Sequence, residues 1–337
     1  MTTVIGWDIG GANVKAALVS EAHRTEPLTV ERPFPLWREY RRLSEVLAEM
    51  AHGLGGAGRM GVTMTAELAD CFATKRQGVA FVLDALRSAF PDVEPLVYGV
   101  DGRFRSVAEA VQNPLDVAAA NWRASAALVA RIFGDALFVD VGSTTTDIIP
   151  IVAGRVCARG HTDTARLQTG ELLYTGALRT PVAAIVRSVP VDRRRCRVAA
   201  EQFAIAADVH RWLEHIGDID YACETPDGRG RGRAESSARL ARMVCADREM
   251  LNDEQVTAIA QYVARVQVRQ IRTGLRQVIR CVGPAAPRLA VLAGHGAFIA
   301  RTAAIEAGLT PRDLAGEIGA TAARSAPAAA VAYLLAE

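Results

Sequence analysis

Asp8-Ile9-Gly10-Gly11-Ala12-Asn13-Val14-Lys15 is answered 132 positions later by Asp140-Val141-Gly142-Ser143-Thr144-Thr145-Thr146-Asp147. Each copy follows an apolar run (Val4-Ile5-Gly6-Trp7; Ala136-Leu137-Phe138-Val139) and leads into another (Ala16-Ala17-Leu18-Val19; Ile148-Ile149-Pro150-Ile151). Strand, acidic residue, glycine-containing turn, strand is the pattern of a β-hairpin. One such turn is an ordinary hairpin. Two in equivalent settings predict a duplicated fold with a cleft between its halves. Each hairpin would offer a carboxylate to a divalent cation, and turn N–H groups and hydroxyls to phosphate oxygens.

Around the hairpins, strand-like and helix-like segments alternate. Helical patterns occupy Glu39–Leu54, Val79–Phe90 and the small-residue stretch 118–132; strands are expected at Met60–Thr65 and Leu96–Val100. In the second half, 179–189 reads as helix or strand, and helices are expected at Ala199–His215, Ser236–Cys245, Asp253–Val282 and Ile299–Ala307. Arg288–Ala293 reads as a buried strand. The expectation is an α/β chain with mixed sheets. Residues 1–133 would form a first ribonuclease H-like lobe and 134–325 a second, with the terminal helix 326–337 returning to the first.

Composition supports a globular enzyme: 337 residues, half of them hydrophobic and 23% charged, leave room for a large core. A net charge of +2 gives no electrostatic case for nucleic acid or a membrane surface. The chain opens in strand pattern, without a basic region followed by an apolar one, and no apolar run reaches the ~18–20 residues of a membrane helix. Its six cysteines are dispersed without a C-x-x-C pair, as for reduced thiols in a cytoplasm. Of 39 basic residues only Lys15 and Lys75 are lysine. The bias reflects base composition in the genome, and it singles out the two positions where an ammonium persists.

Asp8 and Asp140 each close an apolar strand, where side chains border the crevice of an open α/β sheet. They read as magnesium ligands, directly or through water, or else as carboxylates accepting N–H bonds within their own turns. Gly10, Gly11, Asn13, Gly142, Ser143, Thr144 and Thr145 are the matching phosphate-binding candidates, against a merely threonine-rich strand. Asp147 takes the place of Lys15 in the repeat, so one hairpin suits an anion and the other a cation or a proton acceptor. Gly294-His295-Gly296, between a strand and a helix, predicts a helix N-terminus with exposed amides for an anion or nucleotide; His295 is as readily structural as catalytic. In Thr65-Ala66-Glu67-Leu68-Ala69-Asp70, capping and the helix dipole account for the acidic residues. Lys75 and Arg76 beyond it are candidates for an anionic substrate. The Gly/Arg loop at 224–233 reads as solvated, the alternative being a flap over a phosphorylated or carboxylated ligand. His161, Asp163, His210 and His215 lack metal spacing and read as background.

The order of two D-x-G hairpins, a small-residue helix and a late strand–Gly-x-Gly–helix resembles the acetate kinase/sugar kinase/Hsp70/actin superfold. The wording is similar to one branch of it, the hydantoinase/oxoprolinase-like proteins of the tetrahydromethanopterin-linked one-carbon pathway. The matching stretches are Ile5–Asn13, Val62–Arg76, Val97–Phe104, Ala119–Trp122, Phe138–Asp147, Leu167-Gln-Thr-Gly-Glu171 and Leu292–Phe298. Asn13 stands where histidine is expected in relatives. The resemblance implies a kinase-like fold used for alkyl transfer in methanofuran biosynthesis: an (aminomethyl)furanylmethyl diphosphate joined to the phenol of a γ-glutamyltyramine- or tyrosine-type acceptor, with release of diphosphate. It implies magnesium at Asp8 and Asp140, helped by Lys15, the turn amides and Arg76, with Asp147 or Glu171 taking the phenol proton. ATP is not expected in that reaction; ATP-dependent kinase or oxoprolinase chemistry is the rival.

Overall fold

The computed structural model describes residues 3–337. A six-stranded sheet has the order β3-β2-β1-β4-β5-β6, from β1 (Val4–Ile9), β2 (Asn13–Val19), β3 (Leu28–Pro33), β4 (Arg59–Met64), β5 (Leu96–Tyr98) and β6 (Phe104–Arg105). A second sheet has the order β10-β8-β7-β13-β14, from β7 (Ala136–Val141), β8 (Thr146–Val152), β10 (Leu172–Leu173), β13 (Leu289–Ala293) and β14 (Thr310–Asp313), with β9 (Arg155–Val156) paired to β8. Read from each hairpin outward, the two orders correspond: third, second, first, fourth, fifth. In each case a hairpin's first strand is followed in the sheet by a strand that arrives after helical chain. A small separate ribbon joins β11 (Ser188–Val191) to β12 (Arg194–Arg197).

The chain divides into two compact units. The first comprises residues 1–138, 149–168 and 313–337, and the second residues 139–148 and 169–312, so the division passes through β7 and β8. In the first unit a core of Ile5, Trp7, Ile9, Val62, Met64 and Val97 meets Leu43, Val46 and Leu47 of one helix and Val79, Val82 and Leu83 of another. The other face of its sheet is built differently. Gly6 and Gly61 are register partners on parallel strands, and the helix Ala326–Ala336 lies directly on them. A methyl group at Gly6 would run into the Ala328 carbonyl, and one at Gly61 into Val331. Two strand glycines opposite an alanine-rich helix permit this backbone-to-backbone approach. The small-residue helix, Asn121–Phe133, packs on the same terminal helix.

In the second unit the 30-residue helix Asp253–Val282 has the boundaries its periodicity predicts. Asn252 and Gln255 form a capping box at its start, and Gly283 stops it in a left-handed conformation. Its apolar face, Val256, Ile259, Ala260 and Val263, meets Leu240, Val209 and Trp212. Other helices are shorter than their sequence patterns or shifted along them. Ala199–His215 contracts to Ala206–Trp212, Ser236–Cys245 becomes Arg233–Arg242, and 179–189 resolves into a four-residue helix, Val182–Ile185, followed by β11.

Candidate functional site

The first hairpin turn is closed by the Gly10 N–H donating to the Asn13 carbonyl at 2.9 Å. The second is closed by the Gly142 N–H donating to the Thr145 carbonyl, also at 2.9 Å. The two sequence copies therefore make the same turn, residue for residue. In the first unit, register places Asp8 opposite Lys15 on β2 and Thr63 on β4, and Lys15 opposite Glu31 on β3. Paired residues share a face of the sheet, so Glu31, Lys15, Asp8 and Thr63 form a row across four strands. The Lys15 ammonium lies 3.6 Å from Glu31 Oε1 and donates to the Arg324 carbonyl at 3.0 Å. Asp8 is buried.

Just past this edge the chain supplies a group that capping arguments did not identify. The Thr65 N–H donates to the Ile9 carbonyl, and a 3-10 turn, Ala66–Leu68, follows. Thr65 provides no side-chain cap, and Glu67 is not a solvated first-turn acid; its side chain is 1% exposed. Glu67 Oε1 lies 3.6 Å from Lys75 Nζ, which donates to Asp163 Oδ2 at 2.8 Å. Asp163 Oδ1 faces Arg166 at 3.8 Å, and the buried Arg166 guanidinium stacks on Trp122 at 4.4 Å. Burial pushes the Glu67 carboxyl up to about 7, against the opposing pull of Lys75. Lys75 begins the helix Lys75–Ala89, capped by Thr74 and four residues longer at its start than the apolar pattern indicated. Arg76 beside it is exposed.

In the second unit the carbonyls of Gly142 and Ser143 accept N–H bonds from Ala177, Leu178 and Arg179. No acceptor among the described residues takes the hydroxyls of Ser143, Thr144 or Thr145. Gly294 adopts φ +83°, and a side chain there would strike Asp140 and the Val141 carbonyl. Glycine thus brings the Gly294-His295-Gly296 turn against the end of β7, where the Gly296 N–H donates to Val141 at 2.7 Å. Gly296 then caps the helix Ala297–Glu306 without a side-chain bond. Asp147 on β8 pairs in register with Leu172 of β10, and Glu171 immediately precedes that strand; both carboxylates are buried. Glu171 Oε2 accepts the Thr169 hydroxyl at 2.9 Å.

Behind this turn is a polar string that spacing did not reveal. Gln267 donates to Thr175 Oγ1 at 3.1 Å and to the Gly176 carbonyl at 2.8 Å, which orients its amide and leaves Oε1 to accept. His210 Nε2, 2.9 Å from that oxygen, must carry the proton. His210 Nδ1 therefore accepts from His215 Nδ1 at 3.1 Å. Burial, with a smaller contribution from His215, holds His210 down at about 4. Nearby, the Gly/Arg loop is not simply solvated: buried Arg239 donates to Asp208 at 2.7 Å and to Asp227 and the Gly230 carbonyl at 3.0 Å each.

The sequence candidates therefore fall into two sets. Asp8, Gly10, Gly11, Asn13, Lys15, Lys75 and Arg76 lie in the first unit, and Asp140, Gly142–Thr145, Asp147, Glu171 and Gly294–Gly296 in the second. Among the described residues no group of three or more His, Cys, Asp or Glu side chains is placed to hold a metal. No helix among them is long and apolar enough to cross a membrane.

A model of the hydantoinase/oxoprolinase family matches residues 59–337. The chain belongs to the hydantoinase/oxoprolinase family. A relative from Methanocaldococcus jannaschii, "(4-{4-[2-(gamma-L-glutamylamino)ethyl]phenoxymethyl}furan-2-yl)methanamine synthase", is 37% identical over 278 residues, 82% of each chain. A protein of the same name from Methanococcus vannielii is 39% identical over 127 residues, 37% of this chain and 57% of that one. Among solved structures, a nucleotide-free acetone carboxylase gives a TM-score of 0.57 at 10% identity, covering 98% of this chain and 70% of that one. The PilM–PilN type IV pilus biogenesis complex gives 0.51 at 12% identity, covering 99% and 98%. At such identities the likeness concerns the fold alone. This hydantoinase/oxoprolinase family member has a mixed α/β fold of the kind seen in those two structures.

Proposed function

We propose that this protein is an ether-forming transferase of methanofuran-type cofactor biosynthesis. It would condense an (aminomethyl)furanylmethyl diphosphate with the phenol oxygen of a γ-glutamyltyramine- or tyrosine-type acceptor and release diphosphate. The observation that supports this reading most is the 37% identity, over 82% of both chains, to a synthase whose product contains a phenoxymethyl-furan ether. Making that ether requires a phenol oxygen to displace a leaving group from a furan-bearing CH₂. The ring stabilises positive charge on that carbon as the leaving group departs, so the enzyme's main task is electrostatic care of the diphosphate.

Each turn would offer peptide N–H groups to such a leaving group, and the second would add the hydroxyls of Ser143, Thr144 and Thr145. Asp8 in the first unit and Asp140 in the second are each a candidate magnesium ligand, with phosphate and water completing the shell. When bound, magnesium neutralises charge on the diphosphate. Lys15, held opposite Asp8, adds a second cation in the same row. A base must take the phenol proton, because an ordinary phenol near pKa ~10 is a poor nucleophile at neutral pH; Asp147 and Glu171 in the second unit are the candidates the sequence offered.

The test is ³¹P NMR of the donor diphosphate, γ-glutamyltyramine and magnesium with the protein, without ATP. Free diphosphate appearing only with the phenol supports the transfer. No diphosphate release, with phosphate formed only when ATP is supplied, supports kinase or oxoprolinase chemistry instead.

A further inference from the structure

In this chain positive charge is arginine at 37 positions and lysine at two. Lys75 is one of those two, and its ammonium bridges two unlike carboxylates. Asp163, 2.8 Å away, is 27% exposed, whereas Glu67, 3.6 Å away, is 1% exposed. Glu67 Oε2 is buried with no hydrogen-bond partner. A guanidinium would serve the Asp163 ion pair at least as well, since its fork matches a carboxylate in two bonds. The property an ammonium has and a guanidinium lacks is the ability to give up a proton.

We propose that Glu67 and Lys75 form the proton-accepting relay of the ether-forming reaction. As the phenol oxygen attacks the furanylmethyl carbon, Lys75 passes one proton to Glu67 and takes the phenol proton in its place. The phenol O–H bond breaks while an N–H bond re-forms on Lys75 and an O–H bond forms on Glu67. The new O–C ether bond forms as the C–O bond to diphosphate breaks, and the bonding pair leaves with diphosphate. Lys75 is an ammonium before and after; Glu67 goes from carboxylate to acid. The assignment rests on the transfer reaction proposed above.

The fold is arranged for this. The turn holding Glu67 follows β4 and is pinned by Thr65 to the end of β1, next to Asp8. Gly78 lets the helix that begins at Lys75 pack onto the Glu67 backbone. Lys75, 26% exposed, is the link between the buried carboxylate and the surface. The charged groups acting on Glu67 are Lys75 and Asp163, with Arg166 behind the latter. With its pKa raised to about 7 by burial, Glu67 can both accept a proton and return it at neutral pH.

The experiment compares wild type, Glu67→Gln and Lys75→Arg in the phenol-dependent diphosphate-release assay across pH. It is paired with infrared titration of the carboxyl band in substrate-free protein. Each variant is expected to lose ~100-fold or more in kcat with little change in KM for the donor, the scale of a lost general base. The carboxyl titrating near pH 7 is expected in wild type and absent from Glu67→Gln. Lys75→Arg, which keeps the charge and the Asp163 pair, with near-normal kcat would overturn the relay, as would a wild type lacking that titration. A wild type that releases no diphosphate would instead overturn the transfer reading, whatever the variants do.

Discussion

Asp8 and Lys15 stand directly opposite one another across the first hairpin, and their side chains leave the same face of the sheet. In the second hairpin the position of Lys15 is held by Asp147, opposite Leu172. The duplicated scaffold therefore carries opposite charges at equivalent points. Lys15 is also tied to Glu31 and to the Arg324 carbonyl, which joins β2 to β3 and to the end of a C-terminal helix.

Asp8→Asn should lower kcat for phenol-dependent diphosphate release by 10²-fold or more, the scale for losing one preorganised electrostatic group. The buried side chain keeps its shape, so the melting temperature should change little. Turnover within a few-fold of wild type would remove Asp8 from the mechanism.

Glu67 gives stability a pH dependence of definite sign. Its folded-state value, about 7, lies above the ordinary 4.5, so the folded state binds the extra proton between those pH values. Stability contributed by this group is full below pH 4.5 and is lost as pH rises through 7, by about 3 kcal/mol at most. Melting curves from pH 4.5 to 8 should show this decline in wild type and a flatter profile in Glu67→Gln.

His210 acts in the opposite direction. Held at about 4 rather than 6.5, it stays neutral in the fold; its stabilisation is present above pH 6.5 and is lost as pH falls through 4. Hydrogen exchange in the helix Ala206–Trp212 should accelerate on acidification over that range. Exchange unchanged between pH 6.5 and 4, after correction for intrinsic rates, would contradict a buried His210 held neutral by the fold.

Arg239→Met should cost roughly 3–5 kcal/mol, because it leaves buried Asp208 with Tyr221 and the Ile205 N–H but without its cation. The same change releases Asp227 and the Gly230 carbonyl, so proteolysis in the 224–233 loop should quicken. Urea unfolding and limited digestion measure the two effects separately.

Gly6→Ala should be destabilising by more than the ~1–3 kcal/mol typical of overpacking, since the added methyl meets helix backbone rather than a movable side chain. Thermal unfolding against a surface glycine control, Gly58→Ala, where nothing lies within 4 Å, makes the comparison.

Local chemistry is what made part of this molecule legible from its residues. Turn glycines, apolar alternation and helical period act over a few positions, so the two hairpins, the helix Asp253–Val282 and the strand ending at Ala293 are readable one by one, and their repetition gives the duplicated fold. Strand β3, with Glu31, Arg32 and Pro33, escaped that reading because an edge strand need not alternate. Only the tertiary structure could turn Glu67 from a capping acid into a buried carboxylate, or join Lys75 to Asp163 across 88 residues and Lys15 to Arg324 across 309. Burial and long-range pairing depend on which elements pack together, and no spacing along the chain encodes that. The same residue types at the same positions acquire their chemistry from the neighbours that folding brings to them.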